Sequence, residues 1–200
     1  MAIQETKKII IDTAFALFKE KGYENVTLND ICDACGITKT TFYYHLSSKE
    51  EIVSRFYEGV TSSLANDLLD VVTAENYWEQ LVAIFDTLID CTEKIGPNLL
   101  GQLMIMNLRE DIGTFDIVDN LTKVAVVLIE RAQKAGQIRN KSEALPLYLA
   151  ACHAFEGYEL LWCIKNGEYD RKAVLRHAFE QLFDVDPTLR GTTQGERYEN

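Results

Sequence analysis

The sequence lacks several things that would have decided its class at once. No run of eighteen apolar residues occurs, so no membrane-spanning helix is expected. The opening MAIQETKKIIIDTAF has only a short apolar patch, broken by Asp12 and without a cleavage signature, so a signal peptide is not expected. The five cysteines are an odd number without disulfide-like spacing, as suits a reducing, cytoplasmic compartment. There is no internal repeat and no strand-rich stretch. No G-x-S-x-G, Walker or Gly-rich dinucleotide motif is present, and no Ser–His–Asp set assembles from spacing, so nothing supports an enzyme. No metal or cofactor is expected: Cys152, His153 and Glu156 are metal-ligand types, but their spacing does not converge from one helix face. Positive charge is also short. The net charge is −11, which taken alone argues against a nucleic-acid partner.

That charge is unevenly spread. Residues 1–50 hold six lysines against seven carboxylates, whereas 51–200 hold fourteen cations against twenty-four carboxylates. The chain thus pairs a near-neutral head with an acidic body that DNA would repel, which would orient the molecule and limit non-specific binding.

The most informative stretch is residues 27–50, TLNDICDACGITKTTFYYHLSSKE. Thr27 and Asp30 have capping-box spacing and open a short helix whose Ile31 and Cys35 share a face. Gly36 can end it in the left-handed conformation. Thr38 can cap a second helix over 38–45, and Ser47 with Glu50 can open a third. Two helices joined by a short glycine-containing turn form the helix-turn-helix pattern. On the second helix Phe42 and Leu46 can anchor to a core. The rest offers hydroxyls, an ammonium, phenols and an imidazole, groups suited to phosphate oxygens and base edges. The positive end of the helix dipole at Thr38 favours a nearby phosphate. Cys32 and Cys35 form a C-x-x-C, but at a helix C-terminal end, where small core residues are the better reading than a redox pair.

These residues carry a resemblance. FALFKEKGYENVTLNDICDACG followed by ITKTTFYYHLSSKEEI is similar to the DNA-binding domain of TetR-type transcriptional regulators, over roughly residues 7–55. Phe15, Phe18, Gly22, Tyr23, Thr27, Ile31, Gly36, Ile37, Thr41, Tyr43, Tyr44, His45, Lys49 and Glu50 fall where that family places such residues. Thr40 departs from it, standing where the family often has glycine or another small residue.

The remaining chain reads as helices. Residues 4–21 carry Ile10, Ala14, Leu17 and Phe18 as a stripe, with Lys7 and Lys8 against the dipole preference of a first turn. A long helix is expected over about 48–72, then helices at 75–94, 98–110, 115–135, 142–166 and 170–184. The 142–166 helix is apolar nearly all round, which demands burial on several sides. It and 170–184 are therefore expected to pair with their copies as a four-helix dimer interface, as the resemblance also implies. Trp78, Phe85, Met104, Tyr148, His153, Phe155, Tyr158 and Trp162 are candidates to line an apolar ligand pocket, with His153 an interior histidine or a polar group within it.

The expectation is an all-α protein of about nine helices. Residues 1–50 form a three-helix DNA-binding head, 51–184 a helical effector-binding and dimerisation body, and 185–200 a disordered tail. Its function would be that of a homodimeric, ligand-responsive repressor on a palindromic DNA operator. Thr27, Thr38, Lys39, Thr40, Thr41, Tyr43, Tyr44, His45 and Lys49 are the DNA-binding candidates. The effector would be a small molecule or a protein partner, and the alternative is a ligand-independent activator, or a co-activator controlled by a protein partner.

Overall fold

The computed structural model describes residues 2–61, 74, 76–116, 119–168 and 170–191. Among them are nine α-helices: α1 (Ala2–Lys21), α2 (Leu28–Cys35), α3 (Lys39–His45), α4 (Lys49–Thr61), α5 (Tyr77–Ile95), α6 (Pro97–Arg109), α7 (Asp119–Lys134), α8 (Ala144–Ile164) and α9 (Arg171–Leu182). Extended pairing among the described residues is limited to one antiparallel bridge, Ile138 with Val185. The all-helical expectation holds, including α7, whose Val124, Val126 and Val127 did not make it a strand. Of the long helix expected over 48–72, the part beyond Thr61 lies outside the described residues.

The chain forms two compact units, residues 1–63 with 91–115, and 64–90 with 116–200. In the first, α1 packs on α2, α3 and α4, and α4 packs on α6. Its core joins Ile10, Ala14 and Phe18 of α1 to Ile31, Phe42, Leu46 and Ile52, each at most 2% exposed. α1 begins at Ala2, so Lys7 and Lys8 fall in its second turn, where the end of the dipole matters less. Lys7 is matched by a carboxylate, Glu51 of α4, at 3.1 Å.

The second unit is built on α8, which packs against α7 on one side and α9 on another. Trp78, Leu81 and Phe85 of α5, Ile129 of α7, Ala151 of α8, Phe179 of α9 and Phe183 just after it share its core. Three ion pairs fasten α9. Arg176 forks Glu79 at 2.9 and 2.5 Å. Lys172 meets Asp90 at 2.6 Å. Arg171 is buried and grips Glu159 of α8 at 2.6 and 2.8 Å while its guanidinium lies 3.5 Å from the Trp162 ring centroid.

Residues 185–191, expected within a disordered tail, are instead packed against the body. Val185 is fully buried, Asp186 N–H donates to the Gln137 carbonyl at 2.9 Å, and Gly191 N–H donates to Glu180 at 2.8 Å. An apolar side chain in the core and satisfied backbone groups hold residues 185–191 in place, and 192–200 lie outside the described residues.

Removing one member of the buried pair leaves the other charge without compensation. Arg171→Ala should therefore lower stability by about 3–5 kcal/mol, whereas the double replacement Arg171→Met with Glu159→Leu should recover most of the loss. Urea unfolding of the three proteins checks this; equal loss in the single and double variants would refute it.

Candidate nucleic-acid interface

The helix-turn-helix is made by local chemistry that the sequence spells out. Thr27 caps α2: its hydroxyl accepts from Asp30 N–H at 3.2 Å, and the Asp30 carboxylate accepts from Thr27 N–H at 2.7 Å. That is a complete capping box. The Thr27 hydroxyl also donates to Asp30, and with the N–H this holds the Asp30 carboxyl below its ordinary range. α2 ends at Gly36, φ 65°, a left-handed position that suits glycine. Cys32 of the C-x-x-C is buried, which pushes its thiol up and away from reactivity; Cys35 is half-buried, and neither is in a disulfide.

Thr38 then caps α3. Its hydroxyl accepts from Thr41 N–H at 3.1 Å, and the two hydroxyls lie 3.0 Å apart. Phe42, fully buried, and Leu46, 2% exposed, fasten the helix to the core. The residues facing outward are Lys39, Thr40, Tyr43 and Tyr44, the tyrosines 58% and 70% exposed. His45 is half-buried, with its ring 5.1 Å from that of Tyr44. The polar ends of these five side chains have no hydrogen-bond partner among the described residues.

The nine candidates thus divide by their contacts. Thr27, Thr38 and Thr41 spend hydroxyl capacity inside the protein. Lys49 does likewise: its ammonium donates to the carbonyls of Tyr23 at 2.8 Å and Val26 at 3.0 Å, and sits 3.9 Å from the Tyr23 ring centroid. An ammonium has three donors, so one remains for a phosphate. Burial and the neighbouring Glu50 push the Tyr23 phenol up, so it stays protonated under the lysine.

The cap of α4 differs from the expected Ser47–Glu50 box by one residue. Ser48 accepts from Glu51 N–H at 3.2 Å, and the Glu51 carboxylate accepts from the N–H and hydroxyl of Ser47 at 2.7 and 2.8 Å. Ser48 directly precedes Lys49, the first helical residue, so Glu51 rather than Glu50 occupies the third position. Glu51 also receives Lys7 of α1 and Arg55 of α4. One carboxylate therefore ties the exit of α3 to two helices. This junction was invisible in the sequence, because the Lys7 contact joins residues 44 apart.

Five of the eight pocket candidates meet in one core, and Met104, His153 and Trp162 stand apart from it. Trp78, Phe85 and Tyr148 are packed core: the Phe85 ring lies 4.6 Å from Phe179, 5.8 Å from Phe155 and 6.3 Å from Tyr148. Phe155 and Tyr158 pack partly buried against that core, and Trp162 is covered by Arg171. Met104 belongs to the first unit. His153, expected inside, has a side chain 69% exposed, because it lies on the outward face of α8 beside Glu156, 3.4 Å away. A cavity of about 450 Å³ does open between α1 and α4, lined by Lys7, Lys8, Ile11, Arg55 and Phe56 among others.

Residues 10–56 match the family model described as bacterial regulatory proteins, tetR family. Over 127 residues, 54% of this chain and 68% of the relative, the chain is 29% identical to the biofilm operon icaADBC HTH-type negative transcriptional regulator IcaR of Staphylococcus aureus. Against IcaR of Staphylococcus epidermidis the identity is 43% over 63 residues, 32% of this chain and 34% of the relative. The fold is similar to that of Thermus thermophilus FadR, a transcriptional repressor solved with lauroyl-CoA. There the TM-score is 0.66 at 16% identity, covering 95% of this chain and all of the other.

Two outcomes follow from the geometry around α4. Lys49→Ala removes the ammonium from the Val26 carbonyl and leaves the Tyr23 carbonyl with Val26 N–H alone, at 3.3 Å, so it should cost about 1–3 kcal/mol of stability, a loss that thermal melting would register. Burial alone would raise the Glu51 carboxyl, but the Ser47 donors and Lys7 overcome it and hold it at about 2. The stability this supplies is complete above the ordinary carboxylate range and lost as pH falls from about 4.5 to about 2. Melting the head between pH 5 and 2 should show that decline, and Glu51→Gln should flatten it.

Proposed function

We propose, from the premise that this chain belongs to the TetR family of transcriptional regulators, that it works as a homodimeric repressor on a palindromic DNA operator, with residues 1–50 as its DNA-binding domain. The observation that carries this is the outward face of α3. Lys39, Thr40, Tyr43 and Tyr44 present an ammonium, a hydroxyl and two phenols with no hydrogen-bond partner among the described residues, on a helix whose other side is locked by Phe42 and Leu46. Such groups suit base edges and phosphates. In this reading α3 enters the major groove, and His45, the capping threonines 27, 38 and 41, and the remaining donor of Lys49 lie toward the backbone.

Dimerisation is assigned to α8 and α9. α8 leaves Leu145, Leu160, Leu161 and Ile164 at 46–62% exposure, with Ala150, His153 and Gly157 between them on the outward side. A long stripe of this kind is unusual on a solvated surface and fits a self-complementary interface with small residues for close approach. A two-fold pair would set two α3 helices against half-sites about one helical turn apart, roughly 34–36 Å or somewhat more.

The effector is assigned to the second unit, where the rings of Phe85, Tyr148, Phe155 and Phe179 supply the apolar volume a ligand would have to open. Such a ligand shifts DNA affinity only by its differential affinity for two states of the body. Thermus thermophilus FadR, solved with an acyl-CoA, makes a small apolar-chain metabolite the first class to try. No described helix is long and apolar enough to cross a membrane, which fits a cytoplasmic site of action.

Tyr43→Ala should weaken operator binding at least tenfold in a gel shift while the dimer elutes unchanged on size exclusion. Leu161→Asp with Ile164→Asp should release monomers and abolish the shift. Affinity of the native protein should fall as salt rises. A salt-independent complex, or a Tyr43→Ala protein that binds as before, would refute the reading.

A further inference from the structure

Base reading on this head is restricted by what the outward face of α3 does not carry. The first arginine of the chain is Arg55, and it is engaged by Glu51 and Glu58 on α4. α3 itself contains no Arg, Asn, Gln, Asp or Glu. Those residue types make the bidentate or accepting contacts that pick out guanine, adenine and cytosine in the major groove. Of the three threonines at the start of the helix, Thr38 and Thr41 are hydrogen-bonded to each other across the cap. Thr40 is exposed, and its hydroxyl has no partner among the described residues.

A threonine methyl is one of the few groups that reads the C5-methyl of thymine, and its hydroxyl can serve O4 of that base or N7 of the paired adenine. We infer that Thr40 is a specificity-determining residue that selects a T·A pair in each half-site, by contact between its methyl group and the thymine methyl. This rests on the reading of α3 as the groove-entering helix. Lys39, beside it, is the only Lys or Arg of α3, the residue types that pair most strongly with guanine, so a strong G·C preference belongs to Lys39 rather than to Thr40.

The test is selection from a random double-stranded DNA library by the full-length protein and by its Thr40→Gly and Thr40→Ser variants. The native protein should enrich an inverted repeat with a T·A pair at one position of each half-site. Thr40→Gly should relax the preference at that position by about five- to tenfold, the low end of what one mismatched pair costs, and leave the other positions alone. Thr40→Ser preserves the helix better than glycine and removes only the methyl group. Replacing that thymine with deoxyuridine should weaken native binding about fourfold, the effect of one buried methyl, and should not weaken binding by Thr40→Ser.

The inference is overturned if Thr40→Gly enriches the same motif with the same preference at every position. It is equally overturned if the responding pair is G·C, or if deoxyuridine binds the native protein as well as thymine does. Should the native protein enrich no sequence at all, the DNA-binding reading itself falls, a result distinguishable from the others because no motif then exists to compare.

Discussion

A helix of seven residues is not stable in water by itself, because so few hydrogen bonds do not repay nucleation. α3 therefore exists only through what surrounds it, and each neighbour constrains it differently. Phe42 and Leu46 fix which side faces the core. Thr38 and Thr41 close the first turn, and Glu51 ties the exit at Ser47 to α1 and α4. Lys49 holds the carbonyls of the turn ahead of α2. The outward side chains are thereby presented from a backbone fixed at both ends.

The same economy explains the charge pattern. With few cations in the head, several of the lysines and arginines of the first unit serve internal contacts: Lys7 and Arg55 pair with carboxylates, and Lys49 with carbonyls. On the proposed reading, long-range electrostatic attraction to a duplex is modest and neutral donors would carry more of the recognition. In the second unit the carboxylates of α5 face cations of α9, so part of that acidity is absorbed in structure.

Much of this was legible in the residues themselves. Caps at Thr27 and Thr38, the stop at Gly36 and the anchors Phe42 and Leu46 depend on neighbours within a few positions, and local spacing records such contacts. The same holds for the five helices from α5 to α9, whose ends fell within a few residues of expectation. What spacing does not record is partnership across the chain. That Lys49 also holds two carbonyls did not show, because those partners are more than twenty residues away. His153 was placed inside because α8 is apolar on every side, leaving no polar face to show which way is out. The aromatic residues were read as cavity lining, yet three of them fill a core, since composition does not tell a ring that bounds a space from one that occupies it.

The buried contact of Arg171 with Glu159 under the Trp162 ring has a consequence for how this chain can change over generations. Neither charge can be exchanged by itself without stranding its mate in an apolar interior, so every one-step route away from the pair passes through a poorly folded protein. The α8–α9 junction is thus held by a barrier to drift as well as by its contacts. Exposed side chains without a buried mate can change one residue at a time, while this seam can move only by paired replacement.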